Sequence, residues 1–526
     1  MYRLARGLFV DLRPDGPRVW VPSRRALIPL DVDSLALATR FGDGSSIDDA
    51  AEAAGLEADA ALHEVVEALA TGGVLEPADA PVASIAPGEP VQARVAAVAD
   101  RLATRHAAGG VFAADATFDD RDVVFVGFDP ALQAGASPSL DVMIGALEDA
   151  LARARPVVYM LDNLDMGGAP ASELAGPRGM GALYATMARL SGRVPQIAVV
   201  TRTLSRPMSF LPALTDVVIM SEGARVHLGD PAAVREFTGR EIDGDELGGV
   251  TLHATRTGLC DVRCETPADA LVAARAAIRW LLRTPLPAQA PAEPLVEVPD
   301  DLSTAFSMRA FVRGIVDGGE LLELKAQFAP ELATMFARLD GRVIGIIAND
   351  SDQLGGIITA DAARKASRFL SLCDAHGIPF VALADTPGFQ IGPVSERRAI
   401  VAEGARLFTT LAEAAVPHVT VVVRKAHTAG LYAMGGPGFA PHAVLALPAA
   451  SIGILGERAV IAGAGALEKA LDEHDRDRLR GYMRAARPDP RALVDEVVAA
   501  DQLRAALVTR FAAMQPSRRQ HAVYPL

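Results

Sequence analysis

Two series of short apolar runs, each interleaved with helix-spaced segments, organise most of this chain. The first comprises residues 123–126, 157–161 and 197–200; the second comprises residues 343–348, 380–383, 419–423 and 452–455. Between the runs lie stretches with apolar residues three and four positions apart, such as residues 395–414. Strand–helix repetition of this kind predicts a parallel sheet under helical cover. The two series share their order and approximate spacing, which predicts an internal duplication.

Pro/Ala-rich stretches at residues 77–90 and 284–301 divide the pattern and read as semi-rigid linkers that resist packing. The expected organisation is a small unit over residues 1–80 and two larger α/β units over residues 91–284 and 302–526. In the small unit, extended runs at residues 8–12 and 19–21 flank a Pro-Asp-Gly turn. Helical patterns follow at residues 31–39, at residues 46–54 with Ser46 as N-cap and Asp49 in the first turn, and at residues 59–70. Val74 and Leu75 close it as a strand, giving a winged-helix-like α+β candidate.

The most informative stretch is KAHTAGLYAMGGPGF, residues 425–439. It follows the apolar run at 419–423 and opens a helical pattern, with Ala429 and Gly430 at the turn. A strand that delivers small residues into a helix N-terminus leaves main-chain N–H groups unpaired. Such groups can hold a carbonyl oxygen that gains negative charge. A tight turn with no ligand uses the same residue types.

Composition narrows the picture. The chain has 526 residues, 50% hydrophobic and 22% charged, which suits a globular protein of two or three domains. A net charge of -14 argues against a nucleic-acid partner, which needs a basic footprint. Cys260, Cys264 and Cys373 are the only cysteines; their number and spacing fit reduced structural thiols better than disulfides or a zinc site, so no metal is expected. No apolar stretch reaches the roughly 18 residues of a membrane span, and the start MYRLARGLFVDLRPDG lacks a signal-peptide core, so the expected location is cytoplasmic, away from membranes.

Several stretches together resemble one family. They are the segments DGGELLELKAQFAPELATMFARLDGRVIGIIAND, KASRFLSLCDAHGIPFVALADTPGF, KAHTAGLYAMGGPGF and LPAASIGILGERAV in the second half, VPQIAVV, PALTD and ELGGVTLHATRTGLCD in the first, and ALVDEVVAADQLRAAL near the end. From about residue 94 to 514 the chain is similar to the carboxyltransferase subunit of biotin-dependent acyl-CoA carboxylases, of the propionyl-CoA group. The resemblance implies two tandem crotonase-like domains after the small N-terminal unit. It also implies a chemistry in which carboxybiotin releases CO2, the ureido anion removes the α-proton of an acyl-CoA, and the enolate captures the CO2. Two oxyanion holes would serve it, and the biotin-side hole maps onto Ala429 and Gly430. By the same resemblance Gly355 and Gly356 line that pocket, Tyr432 stands where the family varies a residue that influences acyl chain length, and His427 and Thr428 line the site. His427 is expected to be a positioned polar group and not a base.

The first half departs from the family. Counting back from the segment PALTD, the family's glycine pair falls on Arg206 and Pro207. Proline has no N–H to donate to a thioester oxyanion, whereas an arginine can present five donors to an anion. The sequence also lacks a biotin-attachment Met-Lys-Met and a recognisable ATP-grasp loop, so biotin carboxylase and biotin carrier subunits would be separate polypeptides in a homo- or hetero-oligomer. The expected function is carboxyl transfer between carboxybiotin and an acyl thioester. One alternative is a diverged enzyme acting on a peptide or carrier-bound substrate, such as an acyl or malonyl thioester in natural-product biosynthesis. It draws on the N-terminal unit, whose pattern resembles the peptide-recognising domains related to the pyrroloquinoline-quinone pathway's chaperone. The other is a non-catalytic partner subunit.

Overall fold

The computed structural model describes the whole chain except residues 1, 5–8, 14–15, 22–25, 39, 42–45, 55, 57, 72–73, 78–89, 133–139, 163–173, 319–320, 428, 454–473, 475–491, 515–516, 518–520 and 524–526. Two large sheets dominate it. In the first half, β1 (Arg101–Ala108), β2 (Val111–Phe118) and β3 (Arg121–Phe128) run antiparallel. Parallel to β3 and to each other come β4 (Val157–Leu161), β5 (Gln196–Val200), β6 (Val217–Ser221) and β7 (Val262–Cys264), giving the order β7-β6-β5-β4-β3-β2-β1.

The second half repeats this plan. β8 (Leu322–Leu324), β9 (Leu332–Leu339) and β10 (Arg342–Asn349) are antiparallel. β11 (Phe380–Thr386), β12 (His418–His427) and β13 (Ala443–Ala446) continue parallel to β10. β14 (Ser451–Gly453) pairs with the end of β12, and β15 (Glu496–Val497) with β13. Both halves share an antiparallel start, which the apolar pattern does not predict, and a parallel continuation, which it does. Every residue of β4, β5, β6, β9, β11 and β13 is buried, which is why the apolar runs 157–161, 197–200 and 380–383 stand out within β4, β5 and β11.

Helices cover the sheets: α1 (Leu140–Ala152), α2 (Met180–Leu190) and α3 (Pro267–Leu281) in the first half, α4 (Ala360–His376) and α5 (Ile400–Glu413) in the second. One apolar cluster joins the halves, with Val158, Ile197 and Val217 from one and Phe336, Ala363 and Phe380 from the other. Polar groups lock the same junction. Lys325 Nζ lies 2.7 Å from Asp261 Oδ1, Arg368 Nη2 donates to the Thr215 carbonyl at 2.6 Å, and His376 Nε2 sits 3.2 Å from Asp216 Oδ2. All six residues are buried or nearly so, and the chain buries them only with partners.

The N-terminal unit has more strand than the pattern predicts. Phe9–Arg13, Gly16–Val21 and Ala26–Pro29 form an antiparallel sheet, and Tyr2–Leu4 pairs with Leu75–Pro77. Helices Val32–Ala38, Ile47–Ala54 and Ala60–Thr71 fall where expected. Ser46 caps the second of these: its Oγ accepts from the Asp49 amide at 3.1 Å and the Asp49 carboxylate accepts from the Ser46 amide at 3.3 Å.

Two expectations are corrected. The stretch 284–301 is not a free linker: the Leu286 amide donates to the Gly341 carbonyl at 3.1 Å, and the Gly318 amide to the Ala290 carbonyl at 2.9 Å. A Cβ on Gly341 would lie 2.0 Å from the Leu286 carbonyl oxygen, so close approach to glycine is what lets this segment lie on the second half. The helix expected over 395–414 is instead Pro393–Arg397 followed by α5, broken where Ala399 takes a left-handed φ of 60°. The predicted linker at 77–90 lies almost wholly outside the described residues.

Candidate functional site

The parallel strands β10, β11 and β12 end together, and the turns that leave their ends build the candidate site. After β12 the chain turns into the short helix α6 (Ala429–Ala433), so Ala429 and Gly430 stand at its first turn. Neither amide finds an acceptor among the described residues, whereas the Met434, Gly435 and Gly436 amides bond back to the Gly430, Tyr432 and Leu431 carbonyls. Thr428 lies outside the described residues. Gly430 abuts the loop after β11: a Cβ there would lie 2.7 Å from Thr386 Cγ2 and 3.2 Å from Gly388 Cα. Only glycine fits that wall without displacing it.

The other predicted residues surround this turn unevenly. His427 is buried at the end of β12 with Nε2 3.1 Å from Ser451 Oγ, a held polar group. Tyr432 is 54% exposed on α6. Gly355 and Gly356 lie in the turn Leu354–Gly356 after β10, both with positive φ. The Gly356 amide is already bonded to the Gln353 carbonyl at 2.9 Å, so its N–H is not available to a ligand. Its lack of a side chain matters instead, because a Cβ would lie 2.4 Å from the Asp385 carbonyl oxygen. Large apolar side chains are exposed on this same set of loops and helices: Leu354, Ile391, Val394, Val401 and Tyr432.

Neither Asp385, which lies in β11, nor its partners stand out in the sequence. Asp385 and Arg424 are fully buried; Arg424 Nη2 lies 2.7 Å from Asp385 Oδ2, and Nε lies 3.2 Å from the same oxygen. The remaining donors go to Ser351 Oγ at 2.8 Å and the Thr304 carbonyl at 2.5 Å, and the guanidinium lies 4.5 Å from the Phe306 ring centre. Lys425 Nζ is 3.7 Å from Asp385 Oδ1; burial lowers the pKa of its ammonium, opposed by the Asp385 charge. The available signal is an Arg-Lys pair ending an apolar strand, opposite an acid that ends the neighbouring one.

The corresponding turn of the first half is chemically closed. Thr203–Ser205 leads into Arg206, which takes φ 57°, and a single-turn helix Arg206–Phe210 follows. The Arg206 amide donates to the Leu228 carbonyl at 3.0 Å. Pro207 has no N–H, and its carbonyl accepts from the Tyr184 hydroxyl. The Ser209 hydroxyl donates to the Arg206 carbonyl at 2.7 Å. The main chain therefore offers no donor at these two positions. The Arg206 guanidinium is largely exposed and lies 3.2 Å from Asp230 Oδ2. The Asp230 carboxyl is held below its ordinary range first by the Ala233 amide, then by Arg206.

Comparison with known proteins places the chain. A carboxyl transferase domain model matches residues 87–523. The chain belongs to the carboxyl transferase family. It is 32% identical over 450 residues to the uncharacterized carboxylase YngE of Bacillus subtilis, covering 80% of this chain and 88% of that one. It is 33% identical over 334 residues to the methylmalonyl-CoA carboxyltransferase 12S subunit of Propionibacterium freudenreichii subsp. shermanii, covering 61% and 63% of the two chains. Among solved structures, the transcarboxylase 12S hexamer with methylmalonyl-coenzyme A and methylmalonic acid bound superposes with a TM-score of 0.71 at 27% identity, over 79% of this chain and 85% of that one. The two large units are thus the tandem crotonase-like units of this family, as the resemblance implies. Among the described residues there is no group of three or more His, Cys, Asp or Glu that would hold a metal, and no helix is long and apolar enough to cross a membrane.

Proposed function

We propose that this chain is the carboxyltransferase component of a biotin-dependent acyl-CoA carboxylase, moving a carboxyl group between carboxybiotin and an acyl thioester. The observation that carries the proposal is the Ala429–Gly430 turn, two amides at the head of α6 without an acceptor among the described residues, in a chain of this family. Biotin, borne on a separate carrier protein, supplies the transferable carboxyl group and a ureido oxygen that gains negative charge. The residues present fit that oxygen: main-chain donors fixed before the reaction cost no reorganisation when charge develops. The Thr386–Gly388 loop walls the turn, Gly355–Gly356 and His427 line it, and Tyr432 with the neighbouring apolar residues faces the acyl group.

On the thioester side this chain does not reproduce two main-chain donors. Arg206 takes their place, and its guanidinium, drawn from Asp230, meets the acyl group's negative oxygen. Biotin carboxylase and biotin carrier polypeptides are the expected partners, the assembly is an oligomer, and the location is cytoplasmic. Incubating the full chain with a carboxylated biotin carrier and a panel of acyl-CoAs tests the reading. Labelled carboxyl should appear on at least one thioester; none on any would refute it.

A second reading keeps the enzyme but changes the substrate to one carried by a peptide or carrier protein. The closed first-half turn supports it, as does the small sheet of residues 9–29, whose outer strands are joined on one side only among the described residues. Such an edge can add a peptide strand. Equal activity on every substrate with and without residues 1–80 would dispose of it.

A further inference from the structure

We propose that the Arg424–Asp385 pair is a positioning device for the Ala429–Gly430 turn, acting through a bulge in β12 and the loop after β11; this rests on the reading of that turn as the oxyanion site. The bulge is visible in the register. Ala384 pairs with Val422, but Thr386 pairs with Ala426, so Val423, Arg424 and Lys425 stand opposite the single residue Asp385. At this point β12 also changes its outer neighbour, from β13 up to Val422 to β14 from Lys425 onward. Bulges re-aim strands and concentrate beside active sites.

Three strand ends converge on the pair. Asp385 is the penultimate residue of β11, Arg424 sits in the bulge of β12, Asn349 ends β10 and Ser351 follows it; Asn349 Oδ1 accepts from the Asp385 amide at 3.3 Å. From there the contacts run to both glycine turns. The Asp385 carbonyl occupies the space a Gly356 side chain would need, and Thr386 and Gly388 occupy that of Gly430. A shift of Asp385 therefore moves the wall against which Gly430 rests. A fully buried ion pair is seldom more stabilising than apolar residues of the same volume, so stability alone does not account for its presence at the root of this turn.

The experiment uses the full chain, wild type, Asp385→Asn, and the charge-free double variant Asp385→Asn/Arg424→Gln. Measurements are kcat and KM for carboxyl transfer, the thermal midpoint, and hydrogen exchange of residues 434–436, whose amides bond back into α6. The expected result is a kcat loss on the order of 10²-fold in Asp385→Asn, as for a reacting geometry displaced by about 1 Å, with KM for the thioester changed less than about 3-fold. The double variant should recover the thermal midpoint but not kcat, and residues 434–436 should exchange about tenfold faster in both variants. Recovery of kcat together with the midpoint, or unchanged exchange at 434–436 in both variants, would overturn the proposal. If the wild type transfers carboxyl to no thioester, the functional reading fails, and the exchange measurement still decides whether the pair seats the turn.

Discussion

The two halves share a sheet plan yet treat the same turn in opposite ways. In the second half the chain leaves β12 through Ala429 and Gly430, whose amides meet no acceptor among the described residues, and a loop presses against Gly430. In the first half the equivalent turn spends everything: the Arg206 amide on Leu228, both carbonyls on hydroxyls, and no N–H at Pro207. The two halves share the scaffold, whose buried strands tolerate few changes, and differ at a turn, where strand ends leave room for variation. One half presents two main-chain amides without acceptors among the described residues; the other presents the exposed guanidinium of Arg206 beside Asp230.

The largest test of that contrast is Gly430→Val. Its Cβ would meet Thr386 Cγ2 at 2.7 Å, so α6 must move and both amides with it. Transfer should fall by about 10²–10³-fold, the scale of a lost oxyanion donor. The thermal midpoint should fall as well because Leu431 and Ala433 of α6 pack in the core, so activity is compared well below the variant's own midpoint. Steady-state kinetics beside a melting curve checks both halves of the statement. The converse experiment rebuilds the first half with Arg206→Gly/Pro207→Gly. If the guanidinium is only a remnant, the restored N–H raises transfer to acyl-CoA by about tenfold. If Arg206 contacts the acyl group, the double variant loses activity instead, and Arg206→Ala alone loses about tenfold through kcat/KM, with Arg206→Lys recovering part of it.

The same physics decides which features are legible in the sequence. Strands buried on both faces are forced to be apolar runs, so β3 to β5 and β10 to β12 stand out, and helix caps such as Ser46 are local. The Ala429–Gly430 turn is legible because small residues fall between an apolar run and a helical pattern, and the surrounding family segments set it apart from a tight turn with no ligand. The bulge in β12 is not legible, since Arg424 and Lys425 look like the polar end of a strand and nothing local says that Arg424 is fully buried. Its burial depends on Asp385, 39 positions away. The packed segment 284–301 reads as a linker for a similar reason: Pro and Ala describe stiffness, whereas the contacts come from Gly341 and Gly318 elsewhere in the chain.

The smallest effect separates the halves by pH. Gln196 opens β5 opposite Val157, and His418 opens β12 opposite Phe380, so they occupy equivalent register positions. Gln196 accepts from the Tyr159 hydroxyl at 2.6 Å and carries no charge at any pH. His418 is buried, stacked on Phe380 at 4.7 Å, with Nε2 3.3 Å from the Gly435 carbonyl. Burial pushes its pKa down from 6.5 to about 4, opposed by that carbonyl. The folded chain therefore keeps His418 neutral where the unfolded chain has already taken a proton. Above pH 6.5 neither state is protonated there and His418 adds no pH dependence. As pH falls through the window towards 4, the unfolded state gains, and each pH unit removes up to about 1.4 kcal/mol from the second half. His418→Gln, which copies the first half, should flatten that part of the stability profile and leave it unchanged above neutrality. Denaturant unfolding of both proteins from pH 8 to 4 reads the difference; parallel profiles across the whole range would show that His418 titrates alike in the folded and unfolded chains and that the halves do not differ at this position.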